Sequence, residues 1–584
     1  MTGWEYGAGA SLLLLAGSLA FLAVAVIGYY GDGTPVDEPA ATGTVQAIPT
    51  PTSAGPAKVR YATDVAVDLD PDSFQPVDFE DQPDITLTVA SSPSLNEVTV
   101  RYFVPIVSPN TGVYEMALAD LVVAYRPGAN WSDLGGLAGP VTALSVPLAD
   151  RALLSRWLER PDLPEPTYED YGEIVQAVAA GTGVLAIVPL DYVNAAVTAL
   201  AIDGDDIVSG RGDPASWSLR ENVTVTAITA RGASARASVV EAIEAALPDP
   251  ITIVLTGDIL QSRCTLERIR ATGDWGAALR TPVGEFLAAA DLALGSLDGS
   301  IQDIAPPWGC VRITNLSSPP ETIEALTLAG FDGLTVATNH VFDCGQTYCG
   351  NRAFLRTLEL LTEAGIKTWG GGRDLEEALA PGRFTVRGVT IGVLGFDDVA
   401  AYELEATESE PGTAPLDDSY AEERAAGEPS FYRPAAELSL ERFVAQVEAL
   451  GAEVDVVVVQ VQSGTEETHR PSDRSLKALR AAVEAGADIV VGNQAHWVQA
   501  VEYGEDSFVA YALGNFIFDQ IWTPEHTEGV LLEATLHGAR LVNVRLRPYV
   551  IREQYRPEFV DGERAAKILG DVVDASAELA ASGR

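Results

Sequence analysis

The stretch Ile251-Thr-Ile-Val-Leu-Thr-Gly-Asp-Ile-Leu-Gln-Ser-Arg263 decides the fold of this chain. Its β-branched and apolar run ends abruptly in Gly257-Asp258, which predicts a buried strand that delivers one carboxylate at its carboxyl end. Open α/β proteins usually place their functional groups at that end of a strand. We therefore expect Asp258 to lie at a functional site on which other polar groups converge.

The chain after this strand alternates between strand-like and helix-like segments. Strand patterns cover 291–294, 333–336, 454–461, 488–491, 508–513, 529–536 and 540–550. Helix patterns cover 282–290, 320–329, 352–364, 438–450, 472–485 and 561–581. This alternation predicts parallel βα units. Polar groups fall at the ends of the strands, namely Asp258, Ser296-Leu-Asp298, Asn339-His340, Gln462 and Gln494-Ala-His496.

Length and charge limit the class of protein. A chain of 584 residues is too long for one ordinary core, so two or more domains are expected. The 83 acidic and 37 basic residues give a formal net charge of −46. Such a surface repels phosphate backbones and argues against nucleic acid as a partner.

The N-terminal segment predicts attachment to a membrane. Residues 8–30 carry no charge and are long enough to cross a bilayer as a helix. Because no small-residue cleavage signature follows, we interpret 1–30 as a single-pass transmembrane anchor, with a cleaved export signal as the alternative. We expect the acidic body to be extracellular, at the cell membrane. Residues 31–84, rich in Pro, Thr and Ala and then acidic, are predicted to be a linker.

Residues 85–247 are predicted to form a smaller α/β domain, with strands at 85–90 and 98–104 and helices at 150–159 and 168–180. Tyr102-Phe-Val-Pro105, Ala129-Asn-Trp-Ser-Asp133 and Gly183-Val-Leu-Ala-Ile-Val-Pro-Leu190 resemble parts of bacterial solute-binding proteins of the phosphate-binding type. The resemblance leaves two roles open, a ligand trap and a structural or wall-facing module.

A more specific resemblance covers about 290 residues of the second half. The motifs that carry it are Gly257-Asp258 with Arg263, Leu294-Gly-Ser-Leu-Asp-Gly299, Ala337-Thr-Asn-His-Val-Phe-Asp-Cys-Gly345, Gly365-Ile366 to Gly370-Gly-Gly372, Gly492-Asn-Gln-Ala-His-Trp-Val-Gln499 and Tyr511-Ala-Leu-Gly-Asn-Phe-Ile-Phe-Asp-Gln520. In this order they resemble the CapA family, which is named for poly-γ-glutamate capsule synthesis and belongs to the calcineurin-like metallophosphoesterase superfamily. The resemblance implies a calcineurin-like αββα sandwich over 250–550, followed by a C-terminal helix in 551–584.

The resemblance also implies roles for individual residues. Asp258 and His496 would hold one divalent metal, Asp298 would bridge two metals, and Asn339 would reach the second. His340 would be the general acid, and Asp343, three residues later, would fix its tautomer and raise its pKa. Arg263 would clamp a phosphate or carboxylate.

This chain departs from the family pattern at three places. Gln462 and Gln494 stand where the family usually has histidines, and Ser296-x-Asp298 stands where it has Asn-x-Glu. If Gln462 and Gln494 are ligands, their amides suit harder cations than imidazoles do, which favours Mn²⁺, Mg²⁺ or Ca²⁺ over Zn²⁺ at a site for one or two ions. The remaining histidines, His469, His526 and His537, are predicted at the surface.

The sequence has four cysteines, all after residue 250. An even number in an exported chain predicts two disulfides, and of the three possible pairings we favour Cys264–Cys310 and Cys344–Cys349. Zinc binding is the alternative, but their spacing contains no CxxC pair.

Two functional classes follow from these patterns. The first is a metal-dependent hydrolase or transferase that acts on an anionic envelope polymer, such as a poly-γ-glutamate-like chain, or on a phosphoester, together with capsule machinery. The second is a non-catalytic polymer-binding or scaffolding protein that keeps the cleft. The acidic residues and His340 favour the first class, and Gln462 and Gln494 favour the second.

Overall fold

The computed structural model describes residues 56–61, 69–70, 73–78, 81–89, 97–137, 139–419 and 438–583. The predicted anchor at 1–30 and the first part of the predicted linker, 31–55, lie outside these residues. No helix among the described residues combines the length and the hydropathy needed to span a membrane. The described residues all belong to one compact unit, Pro56–Arg584.

The N-terminal module is built on an eight-stranded sheet. The strands of the module are β1 (Ala57–Tyr61), β2 (Phe74–Pro76), β3 (Ile85–Val89), β4 (Glu97–Val107), β5 (Glu115–Met116), β6 (Thr142–Ala143), β7 (Val184–Pro189), β8 (Thr198–Ala199), β9 (Ala201–Ile202) and β10 (Arg220–Ala227). Strands β5 and β9 form a separate short pair, and the other eight form the sheet. The sheet order is β2-β1-β3-β10-β4-β7-β6, with β8 beside β4. Its helices are α1 (Leu118–Ala124), α2 (Arg151–Trp157), α3 (Tyr171–Ala180) and α4 (Ala230–Ile243).

The predicted linker at 31–84 is wrong in its second part, because β1 and β2 belong to this sheet. Val59 pairs in parallel with Ile85, and Lys58 pairs with Gln75. Val59 and Phe74 are buried in a small core with strands β3 and β10. Acidic residues separate the two short apolar runs, so the sequence pattern of this region resembles a linker although its strands are held by distant partners.

Among its described residues, the second half of the chain contains two larger sheets and eight α-helices. The strands are β11 (Pro250–Ile259), β12 (Leu292–Leu297), β13 (Ser300–Ile301), β14 (Ser317–Ser318), β15 (Gly333–Thr335), β16 (Lys367–Trp369), β17 (Gly371–Gly372), β18 (Gly382–Val386), β19 (Val389–Asp397), β20 (Gly412–Thr413), β21 (Val456–Gln462), β22 (Ile489–Asn493), β23 (Val501–Tyr503), β24 (Phe508–Ala510), β25 (Asn515–Ile517), β26 (Glu528–His537), β27 (Arg540–Arg552) and β28 (Arg556–Phe559). The helices among the described residues are α5 (Arg263–Thr272), α6 (Pro282–Ala288), α7 (Ile323–Leu328), α8 (Arg352–Glu363), α9 (Leu375–Leu379), α10 (Glu441–Gly451), α11 (Asp473–Glu484) and α12 (Gly562–Ser582).

The two large sheets pack face to face. One has the order β16-β15-β12-β11-β26-β27-β28, with β25 beside β11, and the other has the order β18-β19-β21-β22-β24-β23. Leu255 and Leu294 of the first sheet share a core with Val458 and Val491 of the second. Since side chains alternate along a strand, their neighbours point outward to the helices. Val254 packs against α5 to α8, and residues 457 and 459 pack against α10 and α11.

The layer order is therefore helix, sheet, sheet, helix, and the predicted mixed α/β fold is confirmed. Some boundaries differ from the prediction. The strand predicted at 508–513 ends at Ala510, and the helix predicted at 320–329 begins only at Ile323, after a 3₁₀ turn. The segment 551–584 contains strand β28 before its helix begins at Gly562. The hairpin of β18 and β19 lies between the predicted elements.

The N-terminal module packs against strand β27. Val542 belongs to the core of the module, and the Asn543 Oδ1 accepts a hydrogen bond of 3.1 Å from the Ala199 backbone N–H. The buried Arg545 guanidinium lies 2.5 Å from Asp206. Burial alone would raise the pKa of Asp206, but the Arg545 charge and hydrogen bond hold that pKa below its usual value. A buried ion pair thus joins the module to the sandwich.

Candidate metal centre

Three buried ligand-type side chains meet at the carboxyl ends of the parallel strands. Asp258 lies near the end of β11, Asp298 directly follows β12, and His496 lies in the loop after β22. One potential ligand atom from each residue lies within 4.8 Å of the other two. All three residues are at least 94% buried. The strand-end convergence expected around Asp258 is thus present for these three residues.

The backbone at Asp258 explains the glycine that precedes it. The pairing of β11 with β12 shifts register between Leu255 and Asp258, where β25 joins on the other side of β11. A Cβ at Gly257 would overlap the carbonyl oxygen of Gly514. Only glycine allows this close approach, so the Gly257-Asp258 and Gly514-Asn515 pairs fit together at the site.

The two carboxylates lie in an environment that opposes their charge. Burial raises the pKa of Asp258 well above its usual value, and the nearby charge of Asp298 raises it further. Burial also raises the pKa of Asp298, although the positive charge of His340 opposes this shift. Two close acidic groups without a compensating cation are characteristic of a metal site or an acid–base pair.

His496 is held so that one ring nitrogen is free. Its Nδ1 lies 2.8 Å from the Oδ1 of Asn515. The Asn515 Nδ2 donates to Gln520 Oε1 and to the carbonyl of His526, each at 3.0 Å, so the Oδ1 must be the atom that faces His496. The Nδ1 therefore carries the proton, and Nε2 keeps a lone pair for a ligand. Burial lowers the pKa of His496 to about 3, so the ring is neutral at physiological pH.

Asn515 was missed by the sequence analysis as a functional residue. It lies within the quoted Tyr511 to Gln520 motif, so its position after Gly514 was the available signal. Its role depends on the direction of an amide side chain, which the sequence alone does not show.

His340 and Asp343 form a hydrogen-bonded pair at the edge of the site. His340 Nδ1 lies 2.8 Å from Asp343 Oδ2. Burial lowers the pKa of His340, but the hydrogen bond to Asp343 and the charges of Asp298 and Asp343 outweigh it and raise the pKa to about 9. The imidazole is therefore protonated at neutral pH, with its Nε2–H left for a ligand.

A chain of amides links Gln462, Gln494 and Glu466. Gln494 Nε2 donates to Glu466 Oε1 at 3.1 Å, and Gln462 Nε2 donates to Gln494 Oε1 at 2.8 Å. Because an ionised carboxylate only accepts hydrogen bonds, Glu466 fixes the direction of both amides. Both ends of the Gln494 amide are engaged, whereas the buried Oε1 of Gln462 has no hydrogen-bond partner among the described residues.

Several buried oxygens around the site, including the Gln462 Oε1, have no hydrogen-bond partner among the described residues. In the described part of the chain, no hydrogen-bond donor reaches Asp258 Oδ1, Asp298 Oδ1, Asn339 Oδ1 or Gln462 Oε1. Buried polar atoms are almost always paired, so a group of unpaired acceptors points to a missing cation. One neutral imidazole with several oxygens suits Mn²⁺, Mg²⁺ or Ca²⁺. The residues present therefore fit a divalent metal.

Arg263 does not have the free guanidinium that a phosphate clamp requires. Its Nε donates to Asp519 Oδ2 at 3.2 Å, one terminal nitrogen donates to Asp519 Oδ1, and the other donates to the carbonyl of Ile313 at 2.6 Å. All three nitrogens are thus engaged within the protein. Asp519 lies 256 residues from Arg263 and was not visible as its partner in the sequence.

The site opens into a cleft of about 430 Å³. Its lining includes Arg263, Arg312, His340, Glu466, Glu467, His496 and Trp522. Four non-glycine residues around the site have left-handed backbone conformations, namely Arg263, Glu467, Gln494 and His496, with φ between 50° and 78°. Such strained conformations persist where surrounding structure holds them, and they cluster at functional sites.

The remaining histidines were predicted at the surface, which is wrong for His526. This side chain is fully buried, and its Nε2 lies 3.4 Å from Glu467 Oε1. His469 and His537 are partly buried, and each bonds a backbone carbonyl at 2.7 Å. Edge-to-face contacts of His526 with Trp497 and Trp522 account for its burial beside the cleft.

Both predicted disulfides are present. Cys264 at the start of α5 is bonded to Cys310, and Cys344 is bonded to Cys349. The first bridge ties the loop that carries Arg312 to the helix that follows β11. The second closes a short loop directly after His340 and Asp343. All four cysteines are used in this way, so none is available for zinc.

Residues 252–520 match the family model described as "Bacterial capsule synthesis protein PGA_cap". This part of the chain is similar to the PGA_cap family. The match contains Asp258, Asp298, His340 and His496, and it confirms the CapA resemblance inferred from the motifs.

Two curated relatives are similar to the chain at low identity. "Capsule biosynthesis protein CapA" of Bacillus anthracis is 27% identical over 278 residues, which are 47% of this chain and 61% of the relative. "PGA biosynthesis protein CapA" of Bacillus subtilis (strain 168) is 28% identical over 277 residues, 47% of this chain and 65% of the relative. The chain thus spans a little under two thirds of the length of these relatives.

Solved structures add little to this comparison. An ABC-type phosphate transport receptor from Vibrio cholerae is 13% identical, covers 27% of this chain and 74% of that chain, and has a TM-score of 0.24. A hypothetical protein from Thermus thermophilus is 13% identical, covers 51% of this chain and 99% of that chain, and has a TM-score of 0.31. TM-scores this low do not establish a shared fold. The solute-binding-like nature of residues 85–247 stays a prediction.

Proposed function

We propose that this chain is a metal-dependent hydrolase or transferase that acts on an anionic cell-envelope polymer or a phosphoester. The observation that carries the proposal is the meeting of Asp258, Asp298 and His496 within 4.8 Å, beside buried oxygens that no donor among the described residues reaches. The PGA_cap match over the same residues supports it.

The proposed chemistry divides between a metal and the chain's own groups. Asp258, Asp298 and His496 would hold a divalent cation, with Asn339 and Gln462 as oxygen donors for a wider shell or a second ion. A bound cation supplies Lewis acidity and a water of lowered pKa. His340 holds a proton at Nε2 for a leaving group, and Asp343 orients the ring through Nδ1.

The names of the relatives and the predicted anchor suggest the biological setting. Two relatives are named for capsule or PGA biosynthesis, so we propose a partner in capsule or exopolymer machinery. We also propose that the body lies outside the cell, tethered by the apolar segment 8–30. Two disulfides support an oxidising compartment.

A second function, non-catalytic polymer binding or scaffolding, is favoured by two observations. Both ends of the Gln494 amide form hydrogen bonds, with Gln462 and Glu466. The Arg263 guanidinium donates all its hydrogen bonds to Asp519 and the Ile313 carbonyl. Both features leave fewer groups for chemistry than the family motifs imply.

The test is metal-stimulated hydrolysis of phosphodiester and γ-glutamyl amide substrates by the purified protein, beside Asp258→Ala and His340→Ala. The proposal predicts activity that depends on a divalent cation and is lost in both variants. Activity equal to that of the variants, with polymer binding intact, would establish the scaffolding function.

A further inference from the structure

The cleft lining contains two arginines, Arg263 and Arg312, and the proposed chemistry uses neither. Arg312 lies in the loop between β13 and β14, lines the cleft and is exposed. Its guanidinium carbon lies 4.3 Å from the ring centroid of Trp522, another residue of the cleft lining. Within the described residues, no carboxylate forms an ion pair with Arg312. Its charge is therefore available to a ligand.

The other cationic groups of the cleft are already committed. Arg263 is paired with Asp519, and His340 is paired with Asp343 and keeps its Nε2–H for the leaving group. His496 is one of the proposed metal ligands. Glu466 and Glu467 add negative charge to the lining. An anionic chain that enters this cleft therefore needs a cation beyond the metal centre, and Arg312 is placed to supply it.

The loop that carries Arg312 is fixed on both sides. Cys310, two residues before it, is bonded to Cys264. The carbonyl of Ile313, directly after it, accepts a hydrogen bond of 2.6 Å from Arg263. Further along, the Leu316 backbone N–H donates to Asp343 Oδ2 at 2.6 Å, which links the loop to the His340 pair. A side chain presented by a fixed loop loses less conformational freedom when it binds.

We propose that Arg312, supported by the Trp522 ring, is an anion-binding subsite that holds a carboxylate or phosphate group of the polymer beside the metal centre. The planar guanidinium binds either group through two parallel hydrogen bonds. The aromatic ring holds the guanidinium by cation–π contact and is 39% exposed, which leaves surface for the ligand's apolar part. This inference rests on the proposed function only in taking an anionic polymer as the ligand.

The test measures the affinity of the full chain for three fluorescent probes, in EDTA and with excess Mn²⁺. The probes are a γ-linked glutamate oligomer, an inorganic polyphosphate and an uncharged γ-linked glutamine oligomer. Arg312→Gln should weaken binding of the anionic probes about 10- to 100-fold under both conditions. Arg312→Lys should show a smaller loss of affinity, because lysine keeps the positive charge but cannot form the two parallel hydrogen bonds of a guanidinium. Trp522→Ala should weaken binding about 2- to 5-fold.

The matched control is Arg126→Gln, which removes one exposed positive charge outside the cleft lining and should bind as the wild type does. A preference for the glutamate oligomer identifies a carboxylate ligand, and a preference for polyphosphate identifies a phosphate ligand. The subsite is refuted if Arg312→Gln binds normally, if Arg126→Gln loses as much affinity, or if the wild type does not prefer anionic probes. Arg312-dependent binding in EDTA without Mn²⁺-dependent hydrolysis would refute the proposed function and leave the subsite in place.

Discussion

Removing one charge from the metal centre should stabilise the metal-free protein and abolish its response to metal. Asp258 and Asp298 are buried side by side, and each has an oxygen that no donor among the described residues reaches. The change Asp298→Asn removes one negative charge and keeps the shape of the side chain. Its amide N–H can donate to the remaining carboxylate of Asp258. The variant should therefore remove the repulsion between the two carboxylates and supply the hydrogen bond that Asp258 lacks.

The magnitude follows from the separation of the two groups. Two full charges within 4.8 Å repel by about 3.5 kcal/mol at an effective dielectric constant of about 20. Burial raises the pKa of both groups, and the positive charge of His340 offsets part of this unfavourable environment at Asp298. We therefore expect a smaller gain in unfolding free energy, about 1–2 kcal/mol. A cation at about 100 times its dissociation constant should stabilise the wild type by about 2.7 kcal/mol.

The assay is urea unfolding at neutral pH, in EDTA and with excess Mn²⁺. In EDTA the Asp298→Asn variant should unfold at a higher urea concentration than the wild type, and in Mn²⁺ the order should reverse. Asp206→Asn is the matched control, because this buried aspartate is paired with Arg545. Weakening that pair should destabilise the protein equally under both conditions.

Two results would refute this reasoning. One is a loss of stability for Asp298→Asn in EDTA, which would mean that the carboxylate is satisfied without a cation. The other is the same Mn²⁺ stabilisation in variant and wild type, which would place the metal elsewhere.

Three further predictions concern the Glu466 contact, a buried carboxyl group outside the site and the disulfides. Glu466→Leu removes the acceptor that fixes the amide directions, so Mn²⁺ affinity measured by titration calorimetry should fall about 10-fold or more; unchanged affinity would show that Gln462 is not a ligand. Burial raises the pKa of Asp488 to about 6, so its ionisation destabilises the fold above pH 6 and not below pH 4. Asp488→Asn should therefore gain about 1–3 kcal/mol over the wild type at pH 7 and nothing at pH 4, by urea unfolding at both pH values; a gain independent of pH would contradict this. Thiol counting on the unreduced, denatured protein should find no free thiol, and four free thiols would exclude both disulfides.

The layers of the sandwich could be predicted because their sequence signals are local. The apolar run of β11 alternates between two buried faces, and Gly257-Asp258 marks its end. The pairing of His340 with Asp343 depends on a spacing of three residues and is visible in the motif. Where the interacting residues lie close together in the chain, the sequence is sufficient to predict their contact.

The remaining features depend on contacts between distant residues. Strand β1 is held by Ile85, across a series of acidic residues that resembles a linker. Arg263 looked available for a ligand because its partner Asp519 is 256 residues away. The direction of the Gln462 amide depends on Glu466 through a third residue. Composition and periodicity contain no information on such side-chain directions.

The most direct test of the central claim is the amount of Mn²⁺ bound per chain after equilibrium dialysis, measured by mass spectrometry for the wild type, Asp258→Ala and His496→Ala. We predict one or two bound ions in the wild type and loss of metal in both variants, with the fold retained by circular dichroism. Equal metal content in all three proteins, or no Mn²⁺ above background in the wild type, would contradict a metal centre at the ends of these strands.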